Sequence, residues 1–142
     1  MKFLSKYSIK AITLFAALTL TGICTYSQNL IGYRYKEIRK YMKENCREMG
    51  FNNVANSKFK YLKYSDSSDK LTLLFFLNSD SVCKKVRMIC DVSIKTEKVK
   101  EFNCLYITRG ENRWIDRRDG KDYLIEIRDE KWYFIITIEP DI

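Results

Sequence analysis

The chain has 142 residues, with 26 Lys and Arg against 18 Asp and Glu, a net charge of +8. It contains no histidine, which removes the usual general base, the commonest zinc ligand and the Ser-His and Cys-His nucleophile pairs. Its five glycines are scattered, so neither GxGxxG nor a P-loop exists to cradle phosphate.

Lys2, Lys6 and Lys10 are followed by the uncharged, mostly apolar run AITLFAALTLTGI, residues 11–23. A basic start and a short apolar core make the pattern of a secretory leader. The apolar part is too short for a membrane span, which needs about 20 apolar residues. Cys24 raises the alternative of a lipid anchor, but Ile23 stands where lipoprotein processing wants a small residue. Thr25 and Ser27 supply small residues three and one places before a cut, so the leader is expected to be 1–27. The expected mature domain is 28–142, exported to the periplasm or the extracellular medium. Loss of three lysines lowers the charge to +5. Basic and acidic residues are interspersed, so a nucleic-acid footprint is not indicated. A protein or an anionic glycan fits an exported basic chain better.

The segment IGYRYKEIRKYMKENCREMGF, 31–51, predicts a helix. Ile31, Tyr35, Ile38, Met42, Cys46 and Met49 recur at steps of three and four as one apolar stripe, and Gly50 is read as its C′ stop. Strands are expected at 58–64, 71–78 and 82–90, separated by the polar turns SDSSD and NSDS. In the third of these, Val82, Val86, Met88 and Cys90 are expected on one face and Cys83, Lys85 and Arg87 on the other. Cys83 and Cys90 then face opposite ways unless a bulge intervenes.

A second helix is expected at about 96–106, started by Thr96, with Val99, Phe102 and Tyr106 on one side. Strands follow at 113–117, 123–128 and 132–139, with a hairpin signal at Asp119-Gly120. In the last strand Trp132, Phe134, Ile136 and Ile138 share a face. The expected order is α-β-β-β-α-β-β-β: an α+β two-layer sandwich with an antiparallel sheet and helices on one face.

This element order resembles tandem helix-plus-meander proteins such as the β-lactamase inhibitor protein and the small lipoprotein of the outer-membrane assembly machinery. The spacing of LLFFLNSDSVCKKVRMIC, NRW, YLIEI and WYFIITI also looks like small exported bacterial proteins of no known activity. The resemblance implies a non-catalytic binding or scaffolding role and carries over no functional residue.

The mature chain keeps Cys46, Cys83, Cys90 and Cys104, an even number that permits disulfides in an oxidising compartment. There is no CxxC, hence no redox motif or zinc ribbon, and no metal or cofactor is expected. Cys46 on the helix stripe and Cys90 on a strand's core face are expected to pair. Cys83, beside Lys84, Lys85 and Arg87, has the cationic setting of a reactive thiol. Asp116, Asp119, Asp122, Glu126, Asp129 and Glu130 crowd the last hairpins. Acid–base work needs two carboxylates across a cleft; turn chemistry and solubility explain these more simply. The leading expectation is an exported binding module whose outer sheet face carries Tyr64, Lys85, Arg87, Arg128 and Tyr133. The alternatives are a small thiol- or carboxylate-dependent hydrolase and a structural subunit of a cell-envelope assembly.

Overall fold

The computed structural model describes residues 29–52 and 60–142. The expected leader lies outside them. The architecture is α+β, as expected: among the described residues it has two α-helices and one eight-stranded antiparallel sheet. Helix α1 (Tyr35–Asn45) precedes β1 (Met49–Asn52), β2 (Tyr61–Asp66), β3 (Leu71–Leu77) and β4 (Cys83–Asp91). Helix α2 (Lys95–Leu105) precedes β5 (Ile107–Gly110), β6 (Arg113–Arg118), β7 (Lys121–Asp129) and β8 (Tyr133–Pro140). Each half therefore holds one strand more than expected, and the order is α-β-β-β-β-α-β-β-β-β.

The sheet runs β1-β2-β3-β4-β8-β7-β6-β5. It reads alike from either edge, first strand outermost and last strand innermost. The halves join where β4 meets β8, with Val86 opposite Ile138, Met88 opposite Ile136 and Cys90 opposite Phe134. These side chains are fully buried beneath the helices. One hydrophobic cluster contains Ile38 and Met42 of α1, Phe102 of α2 and the inward residues of β2–β4 and β6–β8. Burial of each large aliphatic side chain contributes about 1.5–3 kcal/mol.

Helix α1 is shorter than expected. It begins where the Arg34 N–H donates to the Glu37 carboxylate at 2.6 Å, one arm of a capping box. It ends at Asn45, where the Met49 N–H bonds back to the Cys46 carbonyl (3.0 Å) and turns the chain into β1. Gly50 is thus a strand residue, not a helix stop. Ile38, Met42, Cys46 and Met49 of the expected stripe are buried, but Tyr35 is exposed. Thr96 does not start α2 either. Asp91 turns the chain first, its carboxylate accepting from the Ser93 N–H at 2.8 Å, and a single 3₁₀ turn (Val92–Ile94) leads into the helix. Trp132 falls outside β8 and is 72% exposed.

Strand β4 carries a bulge. Lys85 pairs with Phe76 while Cys83 pairs with Leu77, so Lys84 is extra. A bulge resets the inside–outside alternation, and it turns Cys83 into the core with Val86, Met88 and Cys90. Cys83 therefore does not share a face with Lys85 and Arg87. Cys90 is a free thiol, so the expected Cys46–Cys90 bridge is not made, although both side chains are buried in the same core.

The chain enters on the helix-bearing side. Asn29 is buried, its amide donating to Asp116 (3.3 Å) and its side-chain oxygen accepting from the Ile31 N–H (3.0 Å). Arg118 donates to the Asn29 carbonyl. The Gly32 N–H then donates to the Cys83 carbonyl at 2.8 Å, and the Cys83 N–H donates to the Tyr33 carbonyl at 2.9 Å. The first described residues are thus fastened to both halves at one end of the sheet.

The Asp119-Gly120 signal makes the two-residue β6–β7 hairpin, with φ of 52° and 72°. Positive φ at both positions is the type I′ requirement. Gly120→Ala is expected to lose about 1–2 kcal/mol in urea unfolding, the usual cost of a left-handed L-residue. Gly50→Ala, where an added Cβ meets only the Ser65 carbonyl at 3.6 Å, is expected to change stability by less than about 0.5 kcal/mol.

Candidate binding surface

Both helices lie on one side of the sheet, and no described element packs over the other. Eight strands spaced about 4.8 Å apart make that open face roughly 34 Å wide. Alternation places Leu74 and Phe76 of β3, Lys85, Arg87 and Ile89 of β4, Ile135, Thr137 and Glu139 of β8, and Leu124 and Glu126 of β7 on it. The cross-strand register sets them in rows: Lys63, Leu74, Arg87, Thr137, Glu126 and Arg113 run from β2 to β6. The face is neither a plain solvated surface nor a core. Aliphatic and aromatic side chains alternate with ions, and most are half-buried by their neighbours.

Most charges here are answered locally. Lys85 bonds Glu139 at 2.7 Å, and Arg113 bonds Glu126 at 3.0 Å. Arg117 holds Asp122 through two bonds of 2.8 and 3.0 Å, and that hydrogen-bonded pairing keeps the Asp122 carboxyl below its ordinary range. Arg128 reaches Glu130 at 3.0 Å. Arg87 differs. Its guanidinium carbon stands 5.6 Å from the centre of the Phe76 ring, and its Nε–H is buried without a hydrogen-bond acceptor among the described residues. It borders an open groove of about 910 Å³ between β3, β4, β8 and β7, lined by Phe76, Lys84, Lys85, Leu124 and Glu139.

Of the five expected binding residues, four lie on this face. Lys85 and Arg87 stand at the groove. Arg128 stands opposite Ile135 and Tyr133 opposite Asp91, about 7 and 14 Å along the strands from the row of Arg87 at strand rise. They share a face without forming one cluster. Tyr64 is a correction: it is 3% exposed and sits on the helix side, its ring 6.0 Å from Phe75 and 5.3 Å from Phe51. Leu74, Phe76, Leu124 and Thr137 were not singled out from the sequence. Their signal was the even–odd alternation of β3, β7 and β8.

The residues that suggested chemistry are placed less favourably for it. Cys83 is 1% exposed, and burial pushes its thiol up to about 11. Burial pushes Cys90 up to about 12. A reactive thiol needs the opposite shift. Among the late carboxylates, Asp116, Asp122, Glu126, Asp129 and Glu130 each meet a basic side chain within 4.0 Å.

Comparison of the chain with protein-family models, with curated proteins and with solved structures gave no match.

Under native conditions Cys104, the exposed thiol, is expected to be alkylated first, with Cys83 and Cys90 modified only upon unfolding; peptide mapping after timed alkylation reads this. The raised thiols also fix a sign. The unfolded state loses its thiol protons first as pH passes 9, so stability falls from pH 9 to about 11 on account of Cys83 and to about 12 on account of Cys90. The Cys83→Ala/Cys90→Ala double variant should show a shallower decline, by up to about 1.4 kcal/mol per pH unit for each thiol.

Proposed function

We propose that this protein is an exported, non-catalytic binding module that holds a protein partner on the open face of its sheet. Arg87 is the observation that carries the reading. A buried Nε–H without an acceptor costs about 1–3 kcal/mol, and an acceptor on a partner would relieve it. Around Arg87 lie half-buried Leu74, Phe76 and Leu124, a mixture of apolar contact and arginine anchor suited to protein interfaces. A protein fits better than an anionic glycan, because Lys85 and Arg113 already have acidic neighbours and the face offers no free cationic stripe.

Export rests on the leader pattern. A cut after Ser27 leaves the buried Asn29 and every other described residue in the mature domain. The tandem helix-plus-meander order supports retaining the likeness to the β-lactamase inhibitor protein as part of this proposal. The buried thiols and the paired carboxylates weigh against the hydrolase alternative.

Intact mass of the exported protein is expected to match a chain starting at Gln28; an uncut chain or a diacylglycerol on Cys24 contradicts export by this route. A photo-crosslinking residue at Leu74 or Thr137 should give one and the same protein adduct in cells. The same probe at Lys100, exposed on α2, should not give it, and Arg87→Glu should reduce the yield at least tenfold. No adduct from the open face, or equal yield from Lys100, contradicts the placement.

A further inference from the structure

A second concavity lies on the other side of the molecule, between α1 and the β1–β2 edge of the sheet. Its volume is about 740 Å³, within the range of about 300–1,000 Å³ usual for small-ligand sites. Met42, Met49 and Phe51 give it an apolar lining, and Tyr64 completes that lining.

Two independent features point to a ligand of definite chemistry. Tyr64 is 97% buried, and its hydroxyl has no hydrogen-bond partner among the described residues. Burial is the main influence that raises its ionisation above the ordinary tyrosine range, with the Arg39 charge opposing. The group is therefore a buried O–H donor without an acceptor among the described residues. The other feature is charge. Arg39, Lys40, Lys43 and Arg47 border the cleft against Glu44 alone. None of these five is ion-paired among the described residues, whereas the late carboxylates of the second half of the chain are paired. Arg39 is held in place by stacking 3.8 Å from the centre of the Phe51 ring and by donating to the Tyr35 hydroxyl at 3.5 Å, so its guanidinium is positioned with no carboxylate partner among the described residues. Helical spacing explains the rim: residues 39, 40, 43 and 47 recur at steps of three and four and share one side of α1 and its exit.

We propose that this cleft binds a small amphiphilic anion, with its apolar body against Met42, Met49 and Phe51 and its acidic group among the basic side chains of the rim. The Tyr64 hydroxyl donates to an oxygen of the same molecule. The charge complementarity selects an anion over a neutral or cationic amphiphile of equal length.

The test is titration calorimetry of the mature protein with decanoate, decanol and decyltrimethylammonium. Decanoate is expected to bind one per chain, at least tenfold more tightly than the other two. Arg39→Gln/Arg47→Gln should weaken decanoate at least tenfold, and Tyr64→Phe several-fold, with unchanged unfolding midpoints checking the fold. Leu124→Asp, on the open face, should leave binding unchanged, which keeps this site separable from the protein-binding face. Vesicles containing phosphatidylglycerol form a second arm. Binding to vesicles without binding of free decanoate overturns the pocket, as does equal affinity for decanol or indifference to the arginine substitutions.

Discussion

The ladder between β4 and β8 is the constraint on which this molecule depends. Each half alone is a helix on a four-stranded meander, with its last strand left as an apolar edge. An unpaired edge of that kind is a template for aggregation. Pairing the two last strands removes both edges at once, buries Val86, Met88, Ile136 and Ile138 beneath the helices, and leaves the short strands β1 and β5 outermost. Strand β5 is exposed along its whole length and only four residues long, the kind of edge that offers little to a passing chain.

The same pairing fixes where function can reside. Both helices stand on one face because both hydrophobic stripes need the same core, so the opposite face spans all eight strands with no covering layer among the described residues. Its apolar content is then a property to be explained. Cross-strand ion pairs solvate part of it at little net stabilisation, since exposed pairs contribute about 0–1 kcal/mol. They leave Arg87 and its aromatic neighbour as the point where the face is least satisfied by its own residues. The helix side has an analogous incompleteness at Tyr64. In both places a buried donor lacks an acceptor while the surrounding groups supply shape and charge.

Much of the fold was legible in the sequence because β3 is an almost unbroken apolar run, β7 and β8 carry period-two stretches, and their turns carry Asp66, Asn78 and Asp119-Gly120 at the right places. Asn78 shows the mechanism, its side-chain oxygen accepting from the Asp80 and Val82 N–H groups at 3.0 and 2.9 Å. Strand β1 was illegible because Met49 also continues the helical period of Ile38 and Met42, and nothing local announces the stop at Asn45. Strand β5 has no buried face and hence no period. The bulge at Lys84 depends on pairing with β3, a non-local fact, and it alone decides that Cys83 faces the core. Tyr64 was misplaced for a related reason: in KYLKY both parities carry aromatics, and only the β2–β3 register shows that Leu62 and Tyr64 face inward. Four of the five expected binding residues did lie on the open face, because parity within β4, β7 and β8 is regular beyond the bulge.

Through β4 and β8 the two halves form one cooperative sheet. Native-state hydrogen exchange across a urea series tests it most directly. Amides of Val86–Asp91 and Tyr133–Ile138 are predicted to lose protection together, at the free energy of global unfolding. Loss of protection in β5–β8 at lower urea, with β1–β4 and Val86–Asp91 still protected, would contradict it.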